Sequence, residues 1–282
     1  MGPLNTSPTE LHSLNGLSVA LFGPGDWSLR SLQVPADADM EKNSGFVERL
    51  ARALSNLGAM HAYAPNVVPA SGAMANPEEL ATDIPIGRSI DYPLHLWRNQ
   101  YHPADGTVLT RPGDAGIFSA GGCPMIVMKW RNQVGFAHAG RDSLLDRELM
   151  LNGTKSRRYE SVVDALIAKL RVARDQLFDA HVWVLWSIRP EDFAHPFDHT
   201  VHGKANQVMA RYIIDTFGQK CARITATAVH LDLPELIQRQ CMLDGIPPRN
   251  IHLDYAYLPP GTPTTRTPGQ EHLRSLIVVV RR

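Results

Sequence analysis

The fold is decided by two adjoining stretches, Asp114-Ala-Gly-Ile-Phe-Ser-Ala-Gly-Gly-Cys123-Pro-Met-Ile-Val127 and Val134-Gly-Phe-Ala-His138-Ala-Gly140. These stretches contain apolar runs, and a polar Arg131-Asn132 pair separates the last two runs. The pattern predicts a β-strand followed by a β-hairpin. We place these strands at residues 116–122, 124–129 and 133–138. The tight turn of such a hairpin would bring Cys123 and His138 to neighbouring strand ends.

Outside this block, patterns typical of strands and helices alternate, which favours a mixed sheet flanked by helices in an α/β (α+β) fold. Residues 1–15 are rich in Ser, Thr, Pro and Asn and predict a flexible tail, and residues 16–282 predict one domain. Residues 64–81 predict a long surface loop or an insertion. The remaining elements are predicted as strands at 17–22, 182–188 and 276–280 and helices at 41–57, 159–177, 205–217 and 232–243.

Composition favours a globular protein with a small-molecule substrate. Hydrophobic residues make up 44% and charged residues 20% of the 282 residues, and 28 basic residues balance 28 acidic ones. No net charge draws the chain to nucleic acid or to an anionic membrane. The apolar runs are far shorter than the roughly 20 residues that span a bilayer. No secretory signal is visible, so a cytoplasmic location is expected.

The sequence contains three cysteines, Cys123, Cys221 and Cys241. This number is small and odd, which argues against a disulfide framework. Cys221 and Cys241 are predicted to be buried packing residues, as are Trp183 and Trp186. Cys123 differs because it follows Gly121-Gly122 and precedes Pro124, a pattern that suits the rim of a cleft.

A catalytic zinc ion is held by three protein ligands and keeps one coordination position open. The side chains that it prefers occur at His102, Cys123 and His138. His102 lies 21 residues before Cys123, and His138 lies 15 residues after it. These spacings match no closed zinc-finger pattern. The residues alone therefore leave open a core cysteine beside two ordinary histidines.

The central block resembles the signature of the laccase-domain family, also called YfiH-like. In that family a Thr-Ala-Asp-Cys-Leu-Pro segment precedes one strand and a His-Ala-Gly-Trp-Arg-Gly segment ends the next, as Cys123 and His138 do here. The segment Asn99-Gln-Tyr-His102 is similar to the family's Gln-Val-His-Gly element. The resemblance implies a YfiH-like fold and assigns His102, Cys123 and His138 as metal ligands and catalytic residues.

The resemblance also implies a zinc-dependent enzyme that acts on purine nucleosides by phosphorolysis, hydrolysis or deamination. Thr264-Thr265-Arg266 and Leu273-Arg274-Ser275 stand where the family has Ser-Tyr-Arg-Arg and Thr-Gly-Arg. Arg266 is expected to act in catalysis, and Arg274, Arg141 and Arg30 are expected to bind the substrate or phosphate. The expected partners are a nucleoside and phosphate, and the sequence does not fix the oligomeric state.

Three alternatives remain open. Copper-dependent oxidation of polyphenols fits the family name, but the sequence holds no His-X-His pair, which multicopper oxidases use. A Cys and His pair also suits an amidase that edits a peptidoglycan precursor. A non-catalytic protein is the third alternative, because Ala120-Gly121-Gly122 replaces Thr-Ala-Asp and Arg141-Asp142-Ser143 replaces Trp-Arg-Gly.

His195, His199 and His202 form a second histidine cluster at spacings that place side chains on one face of a helix. Pro196 disfavours a regular helix there. The segment is therefore expected to be a histidine-rich surface loop.

Overall fold

Three β-sheets organise the chain in a computed structural model, which describes residues 7–25, 27, 29, 40–68, 72–81, 87–88, 94–98 and 102–282. The strands are β1 Glu10–Leu14, β2 Leu17–Gly25, β3 His61–Tyr63, β4 Gly87–Arg88, β5 His95–Trp97, β6 Gly106–Leu109, β7 Asp114–Ala120, β8 Met125–Trp130, β9 Gln133–His138, β10 His181–Leu185, β11 Ala194–Pro196, β12 Ala222–Ile224, β13 Ala228–Leu231, β14 Ile251–His252 and β15 Arg274–Arg281. The α-helices are α1 Met40–Asn56, α2 Pro77–Ala81, α3 Arg141–Leu144, α4 Arg147–Asn152, α5 Val162–Lys169, α6 Gly203–Phe217 and α7 Leu233–Asp244.

The seven-stranded sheet has the order β1-β2-β15-β7-β3-β5-β4 and is mixed. Its central strand β15 is antiparallel to β2 and β7, whereas β3 is parallel to β7 and β5. Side chains alternate across a strand, so Val278 packs with Leu50 and Leu54 of α1 while Ile277 faces the opposite side. Both faces of this sheet are therefore buried.

The five-stranded sheet, ordered β14-β10-β8-β9-β6, contains the predicted hairpin. Its turn places Arg131 at φ 53°, a left-handed conformation that closes a two-residue loop. The register pairs Met125 with His138, and β6 pairs with β9 so that Gly106 lies opposite Ala137. The residues just before β6 and β8 and the end of β9 consequently meet at one edge.

The two large sheets pack face to face. Ile277 of one sheet and Val127 and Phe136 of the other share a buried cluster. Gly116 allows this approach, because a Cβ built there would lie 2.4 Å from the Phe136 ring. Helices α5, α6 and α7 cover the outer face of the five-stranded sheet. The molecule is thus a layered, single-domain α/β fold, as predicted, with several mixed sheets in place of one.

Three elements differ from the sequence-based predictions. Residues 10–14 of the expected tail form β1, which pairs antiparallel with β2, and the Glu10 carboxylate accepts a hydrogen bond from Trp186 Nε1 at 2.8 Å. The helix expected at 159–177 begins with a Ser161–Asp164 capping box but ends early, because Arg171 adopts φ 54°. The expected loop at 64–81 contains α2 within its described part. Among the described residues, no helix is long and apolar enough to cross a membrane.

Candidate active site

Cys123 and His138 lie side by side at the shared edge of the five-stranded sheet. The hairpin register pairs His138 with Met125, and the Ala139 amide donates a hydrogen bond to the Pro124 carbonyl at 2.9 Å. A Cβ built on Gly140 would lie 2.8 Å from His138 Nε2 and 3.2 Å from Cys123 Sγ. Both side chains therefore border the same small space, and their predicted placement at neighbouring strand ends is confirmed.

Asp105 holds the His138 ring from the opposite side. Its Oδ1 accepts hydrogen bonds from His138 Nδ1 at 2.9 Å and from the Ser143 hydroxyl at 2.9 Å, and its side chain is fully buried. The His138 amide also donates to the Asp105 carbonyl at 2.8 Å. Because Nδ1–H is committed to the carboxylate, Nε2 is the atom that faces Cys123.

The electrostatics of this edge keep His138 charged at neutral pH. Burial by itself would lower the pKa of His138, but hydrogen bonds to Asp105 and Cys123 outweigh it and raise the pKa to about 10. The imidazolium therefore holds a proton beside Cys123 that it can give to a bound molecule.

We expect Gly140→Ala to reduce activity without unfolding the protein. Gly140 has φ −70°, which alanine adopts freely, but the new methyl group would lie 2.7 Å from His138 Cε1. Since Asp105 and Ser143 fix the other side of the ring, His138 must tilt, and a displacement of this kind typically costs about 100-fold in rate. Steady-state kinetics measure the loss. Gly45→Ala, where the methyl group meets open space, is the control, and equal activity of both variants would contradict the geometry.

His102 contacts Glu79 in the structure. Its Nε2 lies 3.7 Å from Glu79 Oε2, and its side chain is 43% exposed. Within the part of the chain that the structure describes, no three His, Cys, Asp or Glu side chains are grouped to hold a metal ion. The structure thus does not group His102 with Cys123 and His138, and the three-ligand set stays a prediction. The register of β6 on β9 explains this, because it puts Asp105 beside His138, three residues beyond His102.

A loop before β15 lies against the glycines that precede Cys123. The Thr265 amide donates to the Gly121 carbonyl at 2.8 Å, and a Cβ on Gly122 would lie 3.5 Å from Thr264 Cβ. Gly122 has φ 126°, which favours glycine. This docking brings Arg266 towards the Cys123 edge.

The four arginines expected from sequence have different roles. Arg274 Nη1 donates to the Leu273 carbonyl at 2.7 Å, so this guanidinium binds its own loop. Arg141 forms two hydrogen bonds with the Asp142 carboxylate, at 2.7 and 2.9 Å. Arg266 is exposed over the Phe193 ring, 5.5 Å from its centroid, and has no acceptor among the described residues. Arg30 lies outside the described residues.

His195 is buried, which corrects the expected histidine-rich surface loop. It lies in β11 with 4% of its surface exposed, and its Nδ1 is 3.1 Å from Arg141 Nη1. Burial and then the charges of Arg141 and Arg266 lower the pKa of His195 to about 3. A neutral His195 thus lies between two arginines. His199 and His202 are exposed, and His199 Nδ1 accepts hydrogen bonds from neighbouring backbone amides.

The other predicted packing residues are confirmed. Cys221 and Cys241 are free thiols with no exposed surface, and burial raises the pKa of Cys221 to about 12. Trp183 and Trp186 are also buried. Of the three cysteines, all of which the structure describes, Cys123 alone has exposed surface and is accessible to a reagent.

Solved structures share this fold along nearly the whole chain. YfiH, a hypothetical protein of Bacillus licheniformis, matches with a TM-score of 0.60 and 14% identity over 100% of both chains. YlmD from Geobacillus stearothermophilus matches with a TM-score of 0.57 and 16% identity over 95% of this chain and 93% of that one. NMB0706 of Neisseria meningitidis, a DUF152 protein, has a TM-score of 0.57 and 13% identity over 96% of each. No family model and no curated protein matches the sequence.

Proposed function

Since the chain has the fold of the YfiH-like laccase-domain proteins, we propose that it is an enzyme whose reaction centre is Cys123, His138 and Asp105. The observation that carries this proposal is the placement of the His138 ring, which the Asp105 carboxylate holds at Nδ1 and which borders the same space as Cys123 Sγ. A nucleophile, a proton carrier and an orienting carboxylate in this order form the arrangement used for nucleophilic catalysis.

Each side chain has a distinct task in the proposed reaction. The Cys123 thiolate attacks an electrophilic carbon of the substrate, and the bond between that carbon and the leaving group breaks. The His138 imidazolium gives its Nε2 proton to the leaving group. His138 then takes a proton from the water or phosphate that displaces the sulfur and releases the product. Asp105 keeps Nδ1 protonated and the ring oriented throughout.

The substrate we propose is a purine nucleoside, with phosphate as the second substrate if the reaction is phosphorolysis. The sequence resemblance supports this class, and the surroundings of the centre are compatible with it. Phe118 lies 4.9 Å from His138, ring centroid to centroid, and offers an apolar face to a heterocycle. Arg266 offers unused donors to an anionic oxygen, beside Arg141 and the neutral His195.

Zinc binding is a separate proposal, and copper is its alternative. The soft thiolate of Cys123 and the Nε2 atom of His138 are suitable donors for either metal. Asp105 on Nδ1 is the partner that metal-bound histidines commonly have. A catalytic zinc site uses three protein ligands, however, and His102 is not beside the other two. The observed side chains supply two of the three ligands that such a zinc site needs. The reaction steps proposed above therefore use only the side chains of Cys123, His138 and Asp105.

His102→Ala separates the two possibilities. Because His102 contacts Glu79 and not the reaction centre, we expect the variant to keep turnover within about threefold of the wild type, whereas His138→Ala loses about a thousandfold. Kinetics and metal analysis on the same preparations provide the measurement. A joint collapse of metal content and turnover in His102→Ala would restore the three-ligand zinc hypothesis.

A chromatographic screen tests the proposed function directly. The full chain is incubated with purine nucleosides with and without phosphate, beside the His138→Ala variant. Base release that requires phosphate identifies phosphorolysis, base release without it identifies hydrolysis, and ammonia release identifies deamination. Conversion that persists in His138→Ala, or no conversion of any nucleoside, would count against the proposal.

Amide hydrolysis is the second candidate, and the Cys–His–Asp order is the observation that favours it, because acyl transfer commonly uses this trio. Peptidoglycan-derived peptides belong in the same screen. Release of an amino acid that depends on Cys123 would select the amidase over the nucleoside enzyme.

A further inference from the structure

The chain turns sharply at Trp186, directly after β10. Trp186 is fully buried and has φ 56°, a left-handed conformation that a bulky side chain rarely adopts. Its amide donates a hydrogen bond to the Tyr255 carbonyl at 2.9 Å. A strained residue of this kind persists only where its surroundings impose the conformation, and such residues cluster at functional sites.

This turn leads to the peptide group that joins Gly122 to Cys123. The Ile188 amide, two residues after Trp186, donates to the Gly122 carbonyl at 2.7 Å. That carbonyl belongs to the same planar peptide group as the Cys123 amide, so the hydrogen bond orients the backbone at Cys123. Gly122 has φ 126° and no side chain that restricts its conformation. The orientation of Cys123 therefore depends on the segment 186–188.

Strand β1 anchors Trp186 at its ring and at its backbone. Trp186 Nε1 donates to Glu10 Oε2 at 2.8 Å, and the Glu10 side chain is 30% exposed. The same carboxylate oxygen lies 3.4 Å from His12 Nε2. The His12 ring stacks on Tyr255, with 3.8 Å between the ring centroids, and Tyr255 carries the carbonyl that accepts the Trp186 amide.

The indole needs the Glu10 acceptor because the rest of its surroundings are apolar. Trp186 packs in the buried cluster between the two large sheets, with Leu21 and Leu185. An indole N–H that is buried without an acceptor is unfavourable, so removal of the carboxylate favours a shift of the ring. Ring and backbone belong to one strained residue, and a shift of the ring therefore loosens the left-handed turn as well.

We propose that Glu10 is a positioning residue for Cys123. It holds Trp186 in its left-handed turn, which directs the Ile188 amide to the peptide group before Cys123 and sets where the thiol lies relative to His138. The inference rests on the proposed function in one respect, that Cys123 is the reacting group. It gives a part of the segment that the sequence predicts as a flexible tail a role at the site.

Two measurements without substrate test this role on the full chain. Glu10→Leu keeps a side chain of similar size but offers no acceptor, so we expect the Ile188 amide to exchange its hydrogen about tenfold faster by NMR. Alkylation of Cys123 by iodoacetamide at pH 7 should become about fivefold slower, because the thiolate is the reacting form and the His138 imidazolium stabilises a thiolate beside it. Glu10→Gln has an amide oxygen that accepts the indole N–H, and both rates should return to within about twofold of the wild type.

Leu11→Ala is the matched control, since Leu11 follows Glu10 in β1 and its side chain is 53% exposed. The Ala139 amide, which donates to the Pro124 carbonyl, is the internal control and should exchange as in the wild type. Circular dichroism and thermal melts verify folding of each variant.

Trp186→Phe tests the route from Glu10 to Cys123. This variant removes the N–H and keeps an aromatic ring, so it should reproduce the effects of Glu10→Leu, and the double variant should show no further loss. Multiplied effects in the double variant, unchanged rates in Glu10→Leu, no recovery in Glu10→Gln, or equal effects in Leu11→Ala would each overturn the proposal. Conversion of nucleosides is judged separately: its absence in the wild type would contradict the proposed function, whereas the exchange and alkylation rates decide the role of Glu10.

Discussion

Replacing Cys123 with serine is expected to lower turnover by about a thousandfold or more while the fold survives. Serine has nearly the volume of cysteine, and Cys123 is only partly buried, so packing changes little. A hydroxyl is a far weaker nucleophile than a thiolate and a poor ligand for a soft metal, so either chemistry at this position fails. Steady-state kinetics and circular dichroism on the same preparation measure the effect.

Cys241→Ser is the informative control for this variant. Cys241 is fully buried in α7, so a hydroxyl there should lower the free energy of unfolding by about 1 to 3 kcal/mol without changing the turnover of folded molecules. Alkylation should distinguish the same two thiols, since only Cys123 has exposed surface. Full activity of Cys123→Ser, or equal labelling of all three cysteines, would place Cys123 among the packing residues.

Local pattern explains why the Cys123–His138 pair was predictable. The hairpin joins two apolar strands through a two-residue turn, so its register follows from sequence neighbours. The sequence does not predict Asp105, because its position depends on the pairing of β6 with β9. Asp105 lies 33 residues before His138 in the chain, so no local pattern links the two side chains. An Asp-Gly before a short strand gives no signal by itself. The resemblance put His102 in the right order along the chain, but it could not place the side chain in space.

The elements that escaped prediction are short or half exposed. Strand β1 alternates exposed and partly buried residues, and its polar composition looks like that of a loose tail. Pro196 predicts a loop around His195, but β11 is an edge strand of the sheet β11-β13-β12, and proline is tolerated there. Long apolar strands such as β15 and amphipathic helices such as α1 were predicted correctly, because burial imposes a clear period on them.

Asp105→Asn is expected to reduce turnover by about a thousandfold with the backbone unchanged. The amide keeps the shape of the carboxylate but carries no charge, and its NH₂ group can turn the His138 ring to the wrong tautomer. The pKa of His138 should then fall well below its value of about 10, because the hydrogen bond to a charged acceptor is lost. NMR titration of the His138 ring and kinetics across pH measure both effects, with Asp254→Asn, at an exposed acid, as the control.

The loss of unfolding free energy in Asp105→Asn should depend on pH. If Asp105 had only a structural role, this loss would be the same at every pH. The pKa of His138 is raised in the folded state from 6.5 to about 10, so the pairing with Asp105 stabilises the fold fully below pH 6.5, and this contribution is lost as the pH rises through about 10. In metal-free protein we therefore expect Asp105→Asn to cost about 3 kcal/mol of unfolding free energy at pH 6, the scale of a broken buried ion pair. The difference should shrink towards pH 10, where His138 is losing its proton in the wild type as well. A cost that is the same at pH 6 and pH 10 would mean that Asp105 acts through its neutral hydrogen bonds to Ser143 and the backbone, and His138 would then lose its assigned role as a charged proton donor.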